Sequence, residues 1–258
     1  MRTHSNYLRL LLILTALLPA AAHAVGLDAT CRVRSSYDFT LSDAAVTFEG
    51  TAGNAQRFAM QRGALSAGGA MVALLPRERD RIAAFEATLR ELVPQVKALA
   101  QRAVDLGAAA IREEAASASP RSATDPQLNN RLNARVAELK ARIANSVSSK
   151  DWRGTSFDRY TAAIFSDIVP LVGGDLAQQA VEVALRGDLA AAHALKSRAM
   201  GLRTALEARI AQRVSVLQPE VDRLCPSFVH LDNLESAIKT PMPDGGRLNL
   251  LEIAGKRA

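Results

Sequence analysis

The chain has 258 residues, a formal charge of +6 and 48% apolar residues, with aromatics at only 4%. That length suffices for one or two domains with a sizeable core. An alanine-rich, aromatic-poor composition favours closely packed helices over a thick sheet sandwich. Two cysteines without a nearby histidine pair argue against zinc, and the lack of aromatics interleaved with the basic residues argues against nucleic acid.

The N-terminus carries Arg2 and Arg9, then a short apolar run from Leu10 to Leu18, then Ala22-His23-Ala24. This order predicts a secretory signal peptide over residues 1–24; the competing reading is a membrane anchor. Cys31 lies well downstream, behind Asp28-Ala29-Thr30, which argues against lipid attachment. Removing Arg2 and Arg9 lowers the charge from +6 to +4. No later apolar run suggests a membrane span, so the mature chain is expected to be soluble and periplasmic, with no transmembrane segment. An even number of cysteines in an exported chain reads as one disulfide, Cys31 with Cys225; the alternative is two separate buried thiols.

Residues 25–75 have period two. Tyr37-Asp38-Phe39-Thr40-Leu41, then Val46 and Phe48, then Phe58 and Met60 alternate apolar with polar neighbours. Turn signals at Ser42-Asp43, Gly50 to Asn54, Gln61 to Gly63 and Gly68-Gly69 separate them. The pattern predicts four or five short antiparallel strands with one face to be covered.

From Pro76 the period changes. Ile82, Phe85, Leu89, Leu92, Val96, Leu99, Ala103 and Leu106 form a heptad-like seam, so a long helix is expected to run through Pro94 and end near Ala115. Glu86 and Arg90 read as an i,i+4 pair on its exposed side. Residues 116–127, rich in Ala, Ser, Pro and Asp, read as an exposed mobile connection.

A second helix carries Leu128, Leu132, Val136, Leu139, Ile143 and Val147 on one face, with Glu138 and Arg142 paired outside. A third carries Tyr160, Ile164 and Ile168 and is expected to stop at Pro170 and Gly173-Gly174. Asp175 would cap a short helix ending at Gly187.

Asp188 would cap the last long helix. Its stripe of Leu195, Ala199, Leu202, Leu206, Ile210, Val214 and Leu217 should pack against the seam at Ile82, Phe85, Leu89 and Leu92. Pro219 is expected to bend it. Residues 229–238 read as an extended segment, and 240–258 as a loose tail. The layout is therefore α+β: a β region over 25–75, a bundle of long antiparallel helices over 76–239, and the tail.

In this order the chain resembles the YggN-like family of uncharacterised bacterial periplasmic proteins, a domain of unknown function. The resemblance rests on the early Cys31 and its strands. It rests also on the stretch Gly63 to Pro94 with Arg79, Arg81, Phe85 and Leu92-Val93-Pro94, and on Leu224-Cys225 followed by Val229 and Leu231 to Leu234. The resemblance implies a periplasmic location and a sheet-plus-helices layout. It implies no catalytic residues.

A search for chemistry finds little. His4 and His23 leave with the signal peptide, and neither His193 nor His230 has a nucleophile motif beside it. No phosphate loop, dinucleotide fingerprint or His-Glu-x-x-His helix occurs. Glu113-Glu114 reads as a solvated helix end. Catalytic, cofactor and metal residues are accordingly expected to be none. The arginines are left: Arg77, Arg79 and Arg81, then Arg131, Arg135 and Arg142, then Arg198, Arg203, Arg209 and Arg213.

One reading makes these arginines ordinary solvated helix faces. The functional reading makes the last four a contact for an anionic envelope component. The chain is thus expected to be a non-catalytic envelope protein acting through its surfaces, on an anionic component or on other envelope proteins. The alternatives are a holdase-like chaperone and a hydrolase with an unrecognised site.

Overall fold

The computed structural model describes residues 27–51, 55–152 and 155–254. The expected signal peptide lies outside the described residues, as do the side chains of 155–161, including Tyr160. The chain opens with a short helix, α1 (Leu27–Cys31), and a two-residue strand, β1 (Val33–Arg34). A meander follows: β2 (Tyr37–Leu41), β3 (Val46–Gly50), β4 (Arg57–Gln61), β5 (Ala64–Ala67) and β6 (Ala70–Met71), each antiparallel to the next. The alternation sets the register. Phe39, Phe48, Phe58 and Ala67 align across neighbouring strands, as do Leu41, Val46, Met60 and Leu65. A single face therefore holds the apolar side chains, and Phe48, Phe58, Met60 and Leu65 are buried on it.

The β4–β5 turn uses Arg62 and Gly63, both at positive φ, as a two-residue hairpin of this twist requires. Gly63 has a second constraint. A Cβ there would lie 2.8 Å from the Arg79 carbonyl oxygen, so the turn can touch the first helical turns only as glycine.

The long helix is α2 (Pro76–Ala118), 43 residues running through Pro94 without a stop. Pro76 occupies its first turn, where the missing N–H has no partner to lose. Its first half covers the sheet, with the Phe85 ring set edge-on to Phe48 at 6.2 Å between centroids. Each apolar side chain fully buried on this face contributes roughly 1.5–3 kcal/mol. The second half buries small residues, Ala100, Ala103, Gly107, Ala108 and Ala115, which lets partner helices come close.

Three helices follow: α3 (Pro120–Thr124), α4 (Pro126–Asn145) and, after a 3₁₀ turn at Ser149–Trp152, α5 (Thr155–Leu185). Then come α6 (Leu189–Val214), a 3₁₀ turn at Ser215–Leu217, α7 (Gln218–Ser236) and a last strand, β7 (Glu252–Ile253), paired with β1. The α6–α7 pair runs antiparallel to α2. Arg198 reaches the Ala118 carbonyl, Arg209 reaches Glu114, Arg102 reaches Glu220 and Arg81 reaches the Ala237 carbonyl. The fold class is thus α+β with a bundle of long helices.

Several expectations are corrected. The expected mobile connection is ordered: Ser119 and Ser122 are buried, and both hydroxyls donate to Asp175. Asp175 therefore caps nothing. It lies inside α5, which continues through Pro170 and Gly173-Gly174 because Ile164, Ile168, Val172 and Leu176 keep one buried stripe.

Residues 229–236 are helical, and the buried Asp232 and Glu235 hide the helical period in the sequence. The tail is packed, with Met242, Leu248, Leu250 and Leu251 buried. The seam also divides. Phe85, Leu89 and Leu92 face the sheet and α7, whereas Ile210 of α6 meets Gly107 further along.

Cys31 and Cys225 are joined. The bond links the end of α1 to the middle of α7.

Candidate functional site

The four arginines of α6 do not make one open patch. Arg209 pairs with Glu114 at 3.0 Å and Arg213 with Glu113 at 2.5 Å. Arg203 pairs with Glu207 at 2.9 Å and lies over the Phe165 ring, 5.6 Å from its centroid. Arg198 reaches the Ala118 carbonyl at 3.4 Å. Glu113 and Glu114 are therefore the partners of α6 and not a frayed, solvated end. His193 and His230 stand exposed on different helices, α6 and α7. Among the described residues, no group of three or more His, Cys, Asp or Glu side chains could hold a metal ion.

A different surface emerges on the α5–α6 hairpin. The stretch Ala162–Leu185 contains 24 residues and is long and apolar enough to cross a membrane by composition, against the expectation that no later run would be. Its charges disguise it in the sequence, and the structure places all three on the side facing the bundle. Asp167 pairs with Arg135 at 2.7 Å, Glu182 with Arg121 at 3.0 Å, and Asp175 takes the hydroxyls of Ser119 and Ser122. Burial pushes the Asp175 carboxyl up, but Ser119, Ser122, Gln179 and Arg121 together outweigh it and hold it below its ordinary 3.8.

With its three carboxylates engaged by neighbouring segments, α5 shows apolar residues outward, and only 17% of an 18-residue window of this stretch is buried. Leu185 is 83% exposed, Met200 79%, Leu189 71% and Val181 60%. Ala180, Val181, Ala184, Ala199 and Met200 line a groove between the two helices, with Lys196 beside them. Arg186 is exposed at the tip, next to Gly187. Single exposed apolar side chains are ordinary, but a contiguous apolar face rimmed by cations marks an interaction surface.

A second concavity lies under the sheet. A cavity of about 130 Å³ is walled by Phe39 and Phe48 of the sheet, Phe85, Leu92 and Val96 of α2, and the only tryptophan, Trp152. Ser146, Ser148, Ser149 and Lys97 also line it. The segment over residues 147–149 is stitched to the edge strand β2. Leu41 donates its N–H to the Val147 carbonyl at 2.8 Å, and Phe39 donates its N–H to the Ser149 hydroxyl at 3.1 Å.

A family profile described as "Protein of unknown function (DUF2884)" matches residues 31–251. The chain belongs to that family. No curated protein and no solved structure matches it. The family segment opens at Cys31 and closes at Leu251, so it contains both bonded cysteines and the buried part of the tail, the whole sheet, the cavity and the hairpin. The hairpin face is hidden in the sequence because Asp175 reads there as a helix cap and the charges of Asp167 and Glu182 interrupt the apolar run. Their partners, Arg135, Ser122 and Arg121 on other helices and Ser119 between α2 and α3, are not revealed by any local spacing.

Proposed function

We propose that this is an exported, non-catalytic envelope protein that works by binding an anionic surface of the bacterial envelope, and that the α5–α6 hairpin is the contact. The observation that carries this reading is the outward apolar face of Val181, Leu185, Leu189 and Met200 with Arg186, Lys196 and Arg198 exposed nearby. Apolar side chains entering a headgroup layer and cations beside them reinforce each other, each basic residue near an anionic surface adding about 1 kcal/mol. The Cys31–Cys225 bond supports an oxidising compartment. The cationic share falls to Arg186, Lys196 and Arg198, because Arg203, Arg209 and Arg213 already pair with glutamates.

The test is co-sedimentation with phosphatidylglycerol vesicles and with phosphatidylcholine vesicles, at low and high salt. Binding to the anionic vesicles should weaken in salt and be lost in Leu185→Asp/Leu189→Asp without a change in melting temperature. Pelleting with neither vesicle at low salt overturns the reading.

A second reading, a holdase for unfolded envelope proteins, draws on the groove itself. Its small alanines and the flexible Met200 suit varied apolar segments. Suppressed aggregation of an unfolded outer-membrane protein, with no vesicle binding, would put it first.

A further inference from the structure

We propose that the cavity under the sheet binds the hydrocarbon end of a single-chain carboxylate amphiphile, with the headgroup at Lys97. This stands apart from the hairpin, and failure of vesicle binding would leave it untouched. The walls set the tail. Phe39, Phe48, Phe85, Leu92, Val96 and Trp152 offer almost no polar surface, and a dry apolar void of about this size accepts a benzene-sized group. At about 130 Å³ the space takes the end of one chain, and two chains would not fit.

The charges of the lining set the head. The Lys97 ammonium donates to the carbonyls of Ala144 and Ser146, which end α4, and no carboxylate among the described residues pairs with it. An ammonium has three donors, so one is left. The anions close by are already engaged. Asp151 accepts the N–H groups of Val147 and Ser148, each at 2.9 Å, and Asp38 accepts the Ser149 hydroxyl at 2.8 Å. Lys150, the other cation of this segment, is bound to Glu49. These carboxylates keep their charge but lie outside the lining, in which Lys97 is the one charged side chain among the described residues. The serine hydroxyls beside Lys97 already donate, Ser146 to the Ile143 carbonyl, Ser148 to the Phe39 carbonyl and Ser149 to Asp38, so the third Lys97 proton is the donor that meets a carboxylate head.

Trp152 supplies the readout, being both in the wall and the only tryptophan of the chain. The full disulfide-bonded chain is titrated with decanoate below its micellar concentration while tryptophan emission is followed, with decanol as the neutral control. Decanoate should give a saturable change. Lys97→Gln should weaken decanoate roughly tenfold, the scale of one charge-assisted hydrogen bond, and leave decanol unaffected. Val96→Phe should fill the space and abolish binding with the melting temperature kept or raised, and Leu41→Phe fills it from the sheet side should the first variant fold poorly. No saturable change, equal affinity for decanol and decanoate, or full binding by a folded cavity-filled variant each overturns the proposal.

Discussion

Glu78, in the first turn of α2, takes both the backbone N–H and the side-chain hydroxyl of Thr240, 162 residues further along the chain. The same buried carboxylate accepts the N–H of Lys239 at 2.6 Å and of Leu75 at 3.1 Å. It thus caps the helix and ties down the start of the tail. The Thr240 hydroxyl, helped by the three N–H donors and opposed by burial, holds the Glu78 carboxyl down to about 2 from 4.5. A lowered folded pKa contributes stability above 4.5 and loses it as pH falls from 4.5 toward 2. Urea midpoints between pH 2 and 5 should show that acid-side loss, and Glu78→Gln should flatten it. At pH 7 the same variant should cost about 1–3 kcal/mol, since four donors then face a group with one good acceptor.

Glu235 has the opposite sign. Burial pushes its carboxyl up to about 8, against the N–H groups of Leu250 and Leu251 and with help from the nearby Asp232 and Glu252. The folded chain then binds more protons than the unfolded one between 4.5 and about 8. Its contribution is fully present below 4.5 and lost as pH rises to about 8, the reverse of an ion-paired carboxylate. Glu235→Gln keeps a carbonyl acceptor for the tail and never ionises. It should remove the decline of melting temperature between pH 5 and 8, and an unchanged decline would place the titrating group elsewhere.

The disulfide closes a separation of 194 residues. For so long a loop the chain-entropy model gives an upper figure of about 5 kcal/mol, and measured values are often smaller. Its local effect follows from the packing. The short helix α1 lies against α7, and among the described residues β1 pairs with the two-residue β7 alone. On reduction, hydrogen exchange should rise first in Leu27–Arg34 and Glu252–Ile253, while the buried amides of α2 stay protected.

Elements with a local period were legible in the sequence. The alternation at Tyr37–Leu41 and Val46–Phe48, the glycine turns, the seam from Ile82 and the Asp188 cap are all present in the structure. What was not legible depends on partners far along the chain. Asp175 looks like a helix cap until Ser119 and Ser122 are beside it. The tail after Thr240 looks loose because its anchors, Glu78 and Glu235, lie on two other elements. The hairpin face was hidden for the same reason: a charge counts as solvated until its partner is placed. The arginines failed in the other direction, since spacing along α6 cannot show that Glu113 and Glu114 wait on α2.

Leu89 and Arg90 are neighbours with opposite surroundings, and the structure changes what Arg90 should do. Leu89 is buried in the wall of the cavity under the sheet. Leu89→Ala enlarges a void that already exists, and should cost about 2–5 kcal/mol. Arg90 had the look of an exposed pair with Glu86, worth well under 1 kcal/mol if truncated. Yet Glu86 is buried, and it also accepts the Arg62 N–H at 2.8 Å. Arg90 binds it at 2.8 Å and donates to the Ser42 carbonyl at 2.7 Å, so it joins α2 to the β2–β3 turn. Arg90→Ala leaves that carboxylate buried without its cation and should cost about 1–3 kcal/mol. Arg90→Ala/Glu86→Gln should recover part of the loss, because the uncompensated charge is gone. Urea midpoints of the four chains decide it: an Arg90→Ala midpoint equal to that of the parent would mean that Glu86 does not need its partner.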